Sequence, residues 1–190
     1  MIELRPKQPE AYVCLARLYE KQGQPAKAAE CLDRLVATAP QSEWAYLRRA
    51  EHRRDRGEYD GALADCDQAS RLKPAWAVPA LVGASVEAAR GRPAAAVAAA
   101  ERALQTAPKH DGHMLYSAAC VWSLASGAAA GPAEAQRHAD RAAELLAEAL
   151  DKGFTDLNYP EHNRMADEPA LAPIRQHSRV RDLLSRKDAG

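Results

Sequence analysis

Residues 9–42, PEAYVCLARLYEKQGQPAKAAECLDRLVATAPQS, contain two helix-forming runs with a short break between them. In each run, apolar or small residues recur every three to four positions, which is the period of one face of an α-helix. Gly23 breaks the first run, Pro25 fits the first turn of a second helix, and Pro40 prevents that helix from continuing. The stretch therefore predicts two helices joined by a tight turn.

The same arrangement recurs along the chain at intervals of 34 residues. A fixed period of about 20 to 50 residues is typical of stacked repeats, in which one hairpin cannot bury its apolar face alone. Several independent columns share the interval, so we expect one helical hairpin to be repeated. The columns are Pro6, Pro40, Pro74 and Pro108; Ala16, Ala50, Ala84 and Ala118; Gly23, Gly57 and Gly91; and Ala28, Ala62 and Ala96.

This interval divides the chain into predicted segments. Residues 1–8 are predicted to be the tail of a truncated preceding repeat, because LRP at 4–6 is in register with the later LKP and TAP; the chain is then a fragment of a longer protein. Short helices are predicted around 169–176 and 179–186, after a loop through 166. The remaining segments are three hairpins at 9–42, 43–76 and 77–110, an atypical fourth hairpin at 111–153, and a C-terminal loop with capping helices at 154–190.

The period, the small-residue columns, the mid-unit glycine and the closing proline resemble the tetratricopeptide repeat family. The resemblance covers residues 9–110 closely and 111–153 more loosely. It implies an all-α fold, a right-handed α-α superhelix of stacked hairpins closed by a C-terminal helical cap. The closing stretch, from LYSAACVWSLAS (115–126) to IRQHSRVRDLL (174–184), also resembles the end of such arrays in bacterial proteins whose repeats follow a serine/threonine kinase domain.

Composition argues against several classes of partner. Twenty-six Lys and Arg balance 26 Asp and Glu, so no overall positive field attracts nucleic acid or an anionic membrane. The apolar run at 94–100 is too short to cross a bilayer, and the first ten residues lack the apolar core of a signal peptide. Together with four widely spaced cysteines, these features predict a cytoplasmic protein with reduced thiols: Cys14, Cys31, Cys66 and Cys120.

The family resemblance implies that the first helices of successive hairpins line a concave groove that receives a peptide or a helix of a protein partner. Residues of these helices that lie off the packing stripe are the candidate contacts, although any one of them could instead pack between repeats. The set is mostly apolar and includes two arginines, which suits an apolar or acidic-apolar peptide. The candidates are Val13, Arg17, Trp44, Leu47, Arg48, Glu51, Val78, Leu81, Ser85, Leu115, Tyr116 and Trp122.

The charged stretch RRAEHRRDRGEYD (48–60) has two possible interpretations. It could be a basic patch for nucleic acid, but acidic residues alternate with the arginines and no aromatic stacking platform accompanies them. The sequence instead favours a solvated helix face with salt bridges. Arg49 is predicted to pair with Asp65 across the second hairpin, in place of the apolar contact that Leu15 makes in the first.

Catalytic and metal sites are not predicted. His110 and His113 have a spacing that could hold a metal on a helix, but they straddle a predicted loop and Gly112, and no second cluster supplies further ligands. No GxSxG, HExxH or phosphate-binding glycine loop is present in the sequence. The chain is therefore predicted to use no cofactor and not to be an enzyme.

These observations favour a non-enzymatic interaction scaffold that binds a peptide or partner helix in the groove. The alternative is a C-terminal regulatory or substrate-recruiting region of a larger bacterial signalling protein such as a serine/threonine kinase. A homodimer formed through the repeat ends is left open by the sequence.

Overall fold

The computed structural model describes residues 9–107, 109–154 and 168–187, and all regular secondary structure in these ranges is helical. The predicted all-α architecture of consecutive hairpins is confirmed. The predictions for residues 1–8, for Pro108 and for the loop through 166 lie outside the described residues. The helices are α1 (Pro9–Lys21), α2 (Pro25–Thr38), α3 (Glu43–Asp55), α4 (Tyr59–Leu72), α5 (Val78–Ala89), α6 (Pro93–Thr106), α7 (Gly112–Gly127), α8 (Pro132–Asp151), a 3₁₀ helix (Pro169–Ile174) and α9 (Ser178–Lys187).

The glycine column ends the first helix of each of the first three hairpins. Gly23, Gly57 and Gly91 have φ values of 66°, 76° and 88°, in the left-handed region. The amide of Gly23 donates to Glu20 O at 2.9 Å, and the amide of Gln24 donates to Tyr19 O at 2.8 Å. This bond pair satisfies carbonyls at the helix end, and a side chain in that conformation would cost about 1–2 kcal/mol. The glycines therefore recur for a backbone reason.

The first compact unit runs to Pro74 and contains two hairpins. Helix α1 packs on α2, α3 packs on α4, and α2 also packs on α3. The alanine columns are buried in this unit, at Ala16, Ala50, Ala28 and Ala62. Small side chains there let neighbouring helices approach closely, as the repeat pattern predicts.

An ion network ties α2, α3 and α4 together. Arg49 donates from Nε and Nη2 to the two carboxylate oxygens of Asp65, at 3.0 and 2.8 Å. Arg53 Nη1 donates to Asp65 at 2.7 Å, and Arg49 Nη1 donates to Asp33 at 2.9 Å. Hydrogen bonding to Asp65 raises the pKa of Arg49 above its ordinary value, with burial acting in the opposite direction. The predicted Arg49–Asp65 pair is confirmed.

The expectation of a solvated face is wrong for part of the same stretch. His52 and Arg54 are buried. His52 Nδ1 lies 2.6 Å from Glu20 Oε1 on α1, and Arg54 Nε donates to Asp55 at 2.8 Å. The physical reason is that α3 packs against the first hairpin as well as against α4, so two of its faces are covered.

The second compact unit starts at Ala75 and contains the other two hairpins. Helix α5 packs on α6, α7 packs on α8, and α7 also contacts α5 and α6. The 3₁₀ helix lies against α7 and α8, and α9 lies against α8. The core of this end is formed by side chains that are almost completely buried: Leu115, Val121, Leu145, Leu146, Leu171, Ile174 and Val180.

Helix α8 ends with the same glycine arrangement as the earlier helices. Gly153 has a φ of 74°, and the amide of Phe154 donates to Ala149 O at 2.8 Å. The Phe154 ring stacks on Tyr116 of α7, with centroids 4.3 Å apart. A Cβ atom at Gly112 would lie 2.8 Å from Phe154 Cβ, so α7 must begin with a residue that has no side chain.

Candidate functional site

The twelve residues predicted to contact a partner lie on α1, α3, α5 and α7, the first helices of the four hairpins. Some of these side chains are buried and others are partly exposed. A buried side chain is covered by the protein itself, so it has little accessible surface for a partner to contact. The candidate set therefore narrows to its partly exposed members. Buried are Val13, Leu47, Val78, Leu81, Ser85, Leu115 and Trp122; partly exposed are Arg17, Trp44, Arg48, Glu51 and Tyr116.

Four of the buried candidates form a column at the 34-residue interval, namely Val13, Leu47, Leu81 and Leu115. An amphipathic helix on a protein surface buries a stripe of roughly 100°. A first helix in these units packs against its hairpin partner and, in α3 and α7, against the preceding hairpin too. The buried part of the helix surface is therefore wider than one stripe. It includes residues that were assigned to the binding face on the assumption that each helix buries a single stripe.

The exposed candidates of α3 form one connected group. Trp44, Arg48 and Glu51 are spaced by four and three residues, which places them on the same helix face. The Arg48 guanidinium carbon lies 5.6 Å from the centroid of the Trp44 ring, within the range of a cation–π contact. Arg48 Nη1 also pairs with Glu51 Oε2 at 2.9 Å. An aromatic surface and a positioned cation thus lie side by side.

The model of the tetratricopeptide repeat family matches residues 9–52, which cover α1, α2 and most of α3. This segment is a tetratricopeptide repeat. Tetratricopeptide repeats form a non-catalytic scaffold and generally mediate interactions between proteins. The Trp44, Arg48 and Glu51 group lies inside the matched segment. No curated protein matches the sequence.

In the second unit, Tyr116 is partly exposed and stacks on Phe154. The buried Ser85 donates its hydroxyl to Val82 O at 2.7 Å, within its own helix. Phe154 was not among the residues predicted from the sequence. The sequence could have indicated this contact, because an apolar residue directly after a helix-terminal glycine commonly packs back on the helix that it follows.

The two histidines with metal-like spacing, His110 and His113, do not point to a common ligand. His110 Nε2 lies 2.7 Å from Leu104 O, and the His113 ring packs edge-on against Phe154 with centroids 5.0 Å apart. Among the described residues, no group of three or more His, Cys, Asp or Glu could hold a metal ion. No helix in the described part of the chain is long and apolar enough to cross a membrane.

Thiol chemistry is also disfavoured in the interior of the repeats. Cys31, Cys66 and Cys120 are buried, and Cys14 is exposed. Burial raises the pKa of Cys66 to about 12. The thiolate is the reactive form of cysteine, so Cys66 is a poor nucleophile at neutral pH.

Proposed function

We propose that this tetratricopeptide repeat protein is a non-enzymatic interaction scaffold, and that its first unit binds a peptide or helix of a partner protein across α1 and α3. The observation that carries the proposal is the contact between Trp44 and Arg48 on the partly exposed face of α3. Tryptophan and arginine are the residues most enriched among those that dominate binding energy at protein interfaces. Arg17 is the partly exposed candidate on α1.

The chemistry of the surface favours an acidic-apolar partner. An apolar side chain of the partner can pack on Trp44, while a carboxylate can pair with Arg48. Arg48 is held by Glu51 at 2.9 Å, so a partner carboxylate must compete with Glu51 for the guanidinium group. Removing the charge of Glu51 should therefore strengthen binding of an acidic partner, whereas removing Arg48 should weaken it.

Site-specific photo-crosslinking in cells tests the proposal with a partner of unknown identity. The photoreactive aromatic amino acid p-benzoylphenylalanine replaces Trp44 in one variant and the exposed Arg71 of α4 in a matched control. We expect one or a few proteins to crosslink at position 44 and not at position 71. If the same proteins crosslinked equally at both positions, the α1–α3 surface would not be the binding site.

Affinity measurements on the crosslinked partner then separate the roles of the side chains. Trp44→Ala and Arg48→Ala should each weaken binding by about tenfold or more, which corresponds to roughly 1.4 kcal/mol. Arg71→Ala should leave affinity unchanged, and Glu51→Gln should increase it. A loss of affinity in Glu51→Gln would contradict an acidic partner, even if Trp44 proved essential.

The wider setting of the protein stays a prediction from sequence. The division into repeats at the stated boundaries, a cytoplasmic location and membership of a larger signalling protein such as a serine/threonine kinase belong to this class. The same holds for the groove contacts in the second unit, where Tyr116 keeps an exposed surface.

A further inference from the structure

The exposed face of α3 presents its chemical groups in a definite order. Trp44, Arg48, Glu51 and Asp55 are spaced by four, three and four residues, so all four lie on one face of the helix. Trp44, Arg48 and Glu51 are partly exposed, and Asp55 is exposed. From the N-terminal to the C-terminal end of α3, this face therefore presents an aromatic group, a cation and two carboxylates. We call these four residues the α3 stripe.

A third carboxylate lies at the C-terminal end of the α3 stripe. Oε1 of Glu20, on α1, is 2.6 Å from Nδ1 of His52, which lies between Glu51 and Asp55 on α3. Arg54 Nε donates to Asp55 at 2.8 Å. Burial raises the pKa of Asp55 above its ordinary value and Arg54 acts in the opposite direction, while the carboxylates of Glu51 and Glu20 raise it further. This end of α3 therefore favours the approach of a cationic group.

The distances along the α3 stripe match the repeat of an α-helix. With a rise of about 1.5 Å per residue, Arg48 lies about 6 Å from Trp44 along the axis, and Asp55 lies about 10.5 Å beyond Arg48. A partner helix beside α3 presents residues on one face at the same two intervals, four and seven positions apart. A β-strand presents same-face residues about 6.6 and about 13 Å apart, so it matches the first interval and misses the second.

We infer that the partner of this surface is an α-helix that lies antiparallel to α3 and carries a basic, an acidic and an apolar residue on one face. The acidic residue follows the basic one by seven positions, and the apolar residue follows four positions later. The basic residue faces Asp55 and Glu20, the acidic residue pairs with Arg48, and the apolar residue packs on Trp44. This inference rests on the proposed function of the α1–α3 surface, and it specifies the partner's conformation, direction and charge order.

The direction of the partner helix follows from the charges at helix ends. A helix carries a partial positive charge at its N-terminus and a partial negative charge at its C-terminus. In the antiparallel arrangement, the N-terminus of the partner lies beside Asp55, Glu20 and the negative end of α3. A parallel helix would instead bring its own negative end to these carboxylates. The antiparallel direction is therefore favoured.

The two carboxylates of the α3 stripe have opposite roles in this arrangement. Glu51 is bonded to Arg48 and competes with the acidic residue of the partner, whereas Asp55 attracts the basic residue. Asp55→Asn should therefore weaken binding of the crosslinked partner by about two- to fivefold, the range of an exposed ion pair, although Glu51→Gln strengthens it. Asp67→Asn, at an exposed position of α4, is the matched control and should leave affinity unchanged. Unchanged or increased affinity in Asp55→Asn would overturn the charge order.

Paired crosslinks measure the conformation and direction of the partner. In separate variants, p-benzoylphenylalanine replaces Trp44 or Asp55, and mass spectrometry of the digested adducts locates the attached residue of the partner. The two positions are about 16.5 Å apart along α3. We expect the two attached residues to lie about 11 positions apart in the partner. The residue attached to position 44 should be the nearer one to the C-terminus of the partner.

Other crosslink patterns would overturn the inference. Attached residues about five positions apart would indicate an extended partner, because a strand covers the same distance with fewer residues. The reverse order along the partner would indicate a parallel helix. Both results leave the α1–α3 surface as the binding site, so the proposed function would stand. Equal crosslinking at position 44 and at the control position 71 would overturn the proposed function and this inference together.

Discussion

Removal of the Asp65 carboxylate is the perturbation with the largest expected effect on the first unit. Asp65 is buried and accepts hydrogen bonds from Arg49 and Arg53 at 2.7 to 3.0 Å. In Asp65→Ala, both guanidinium groups lose this partner while they remain close to each other in α3. Asp33 remains as an acceptor for both, and Arg53 also keeps the carbonyl oxygen of Gly61 at 3.4 Å.

The expected cost follows from how far each charge is removed from water. Breaking a fully buried ion pair by deleting one partner costs about 3–5 kcal/mol, whereas an exposed pair contributes about 0–1 kcal/mol. The Asp65 side chain is 5% exposed, but those of Arg49 and Arg53 are 17% and 26% exposed. Partial solvation of the arginines reduces the penalty, so we expect the free energy of unfolding to fall by about 2–4 kcal/mol.

The first hairpin supplies a matched control, because it builds the same positions without charge. The residues 34 positions before Arg49, Arg53 and Asp65 are Leu15, Tyr19 and Cys31. The triple variant Arg49→Leu, Arg53→Tyr, Asp65→Cys therefore replaces the network with residues that already pack in this setting. Exchange of a buried ion network for apolar residues is often neutral, so we expect stability within about 1.5 kcal/mol of the natural chain.

Urea unfolding followed by far-UV circular dichroism measures both variants, with extrapolation to zero denaturant. A loss of less than about 1 kcal/mol in Asp65→Ala, as for an exposed pair, would contradict a buried ion network. A triple variant less stable than Asp65→Ala would contradict it as well, since the charges would then stabilise the unit beyond satisfying one another.

Two further predictions concern the small-residue columns. Ala50→Leu should destabilise the first unit by about 1–3 kcal/mol in urea unfolding, because Ala50 is completely buried and the added atoms overpack the core. The control Ala37→Leu, at an exposed position of α2, should change stability by less than about 0.5 kcal/mol. Gly57→Ala should cost about 1–2 kcal/mol by the same measurement, because its φ of 76° disfavours a side chain; an unchanged midpoint would show that this turn has another conformation in solution.

The helices could be predicted from sequence because each end carries its own local signal. Gly23, Gly57 and Gly91 adopt the left-handed conformation that their position after a helix suggests, and Pro25 and Pro93 stand at the first helical residue. Since these signals depend on a few neighbouring residues, they are independent of the tertiary structure.

The Arg49–Asp65 pair was predictable for a different reason. Comparison of equivalent positions revealed Arg49 where Leu15 stands in the first hairpin, and a charge at a packing position requires a partner across the hairpin. The bond from Arg49 to Asp33 was not predicted, because it depends on how α2 approaches α3. The bond from Arg53 to Asp65 was not predicted either, because it depends on side-chain geometry between α3 and α4.

The candidate site was harder to predict, since exposure depends on several helices at once. Trp44 and Trp122 were both assigned to the binding face, yet Trp44 is partly exposed and Trp122 is buried in the last hairpin. Helix α7 packs against α5, α6, α8 and the 3₁₀ helix, which leaves it little free surface. The spacing of apolar residues along one helix does not show how many other helices pack against it.

The central claim is that one hairpin, repeated every 34 residues, builds this protein. Backbone NMR chemical shifts of the full chain test it most directly, because Cα shifts report helix residue by residue. We predict helical shifts over the observed ranges of α1 to α6, interrupted at Gly23, Gly57 and Gly91. Extended-strand shifts within those helices, or helical shifts that continue without a break through the three glycines, would contradict the account.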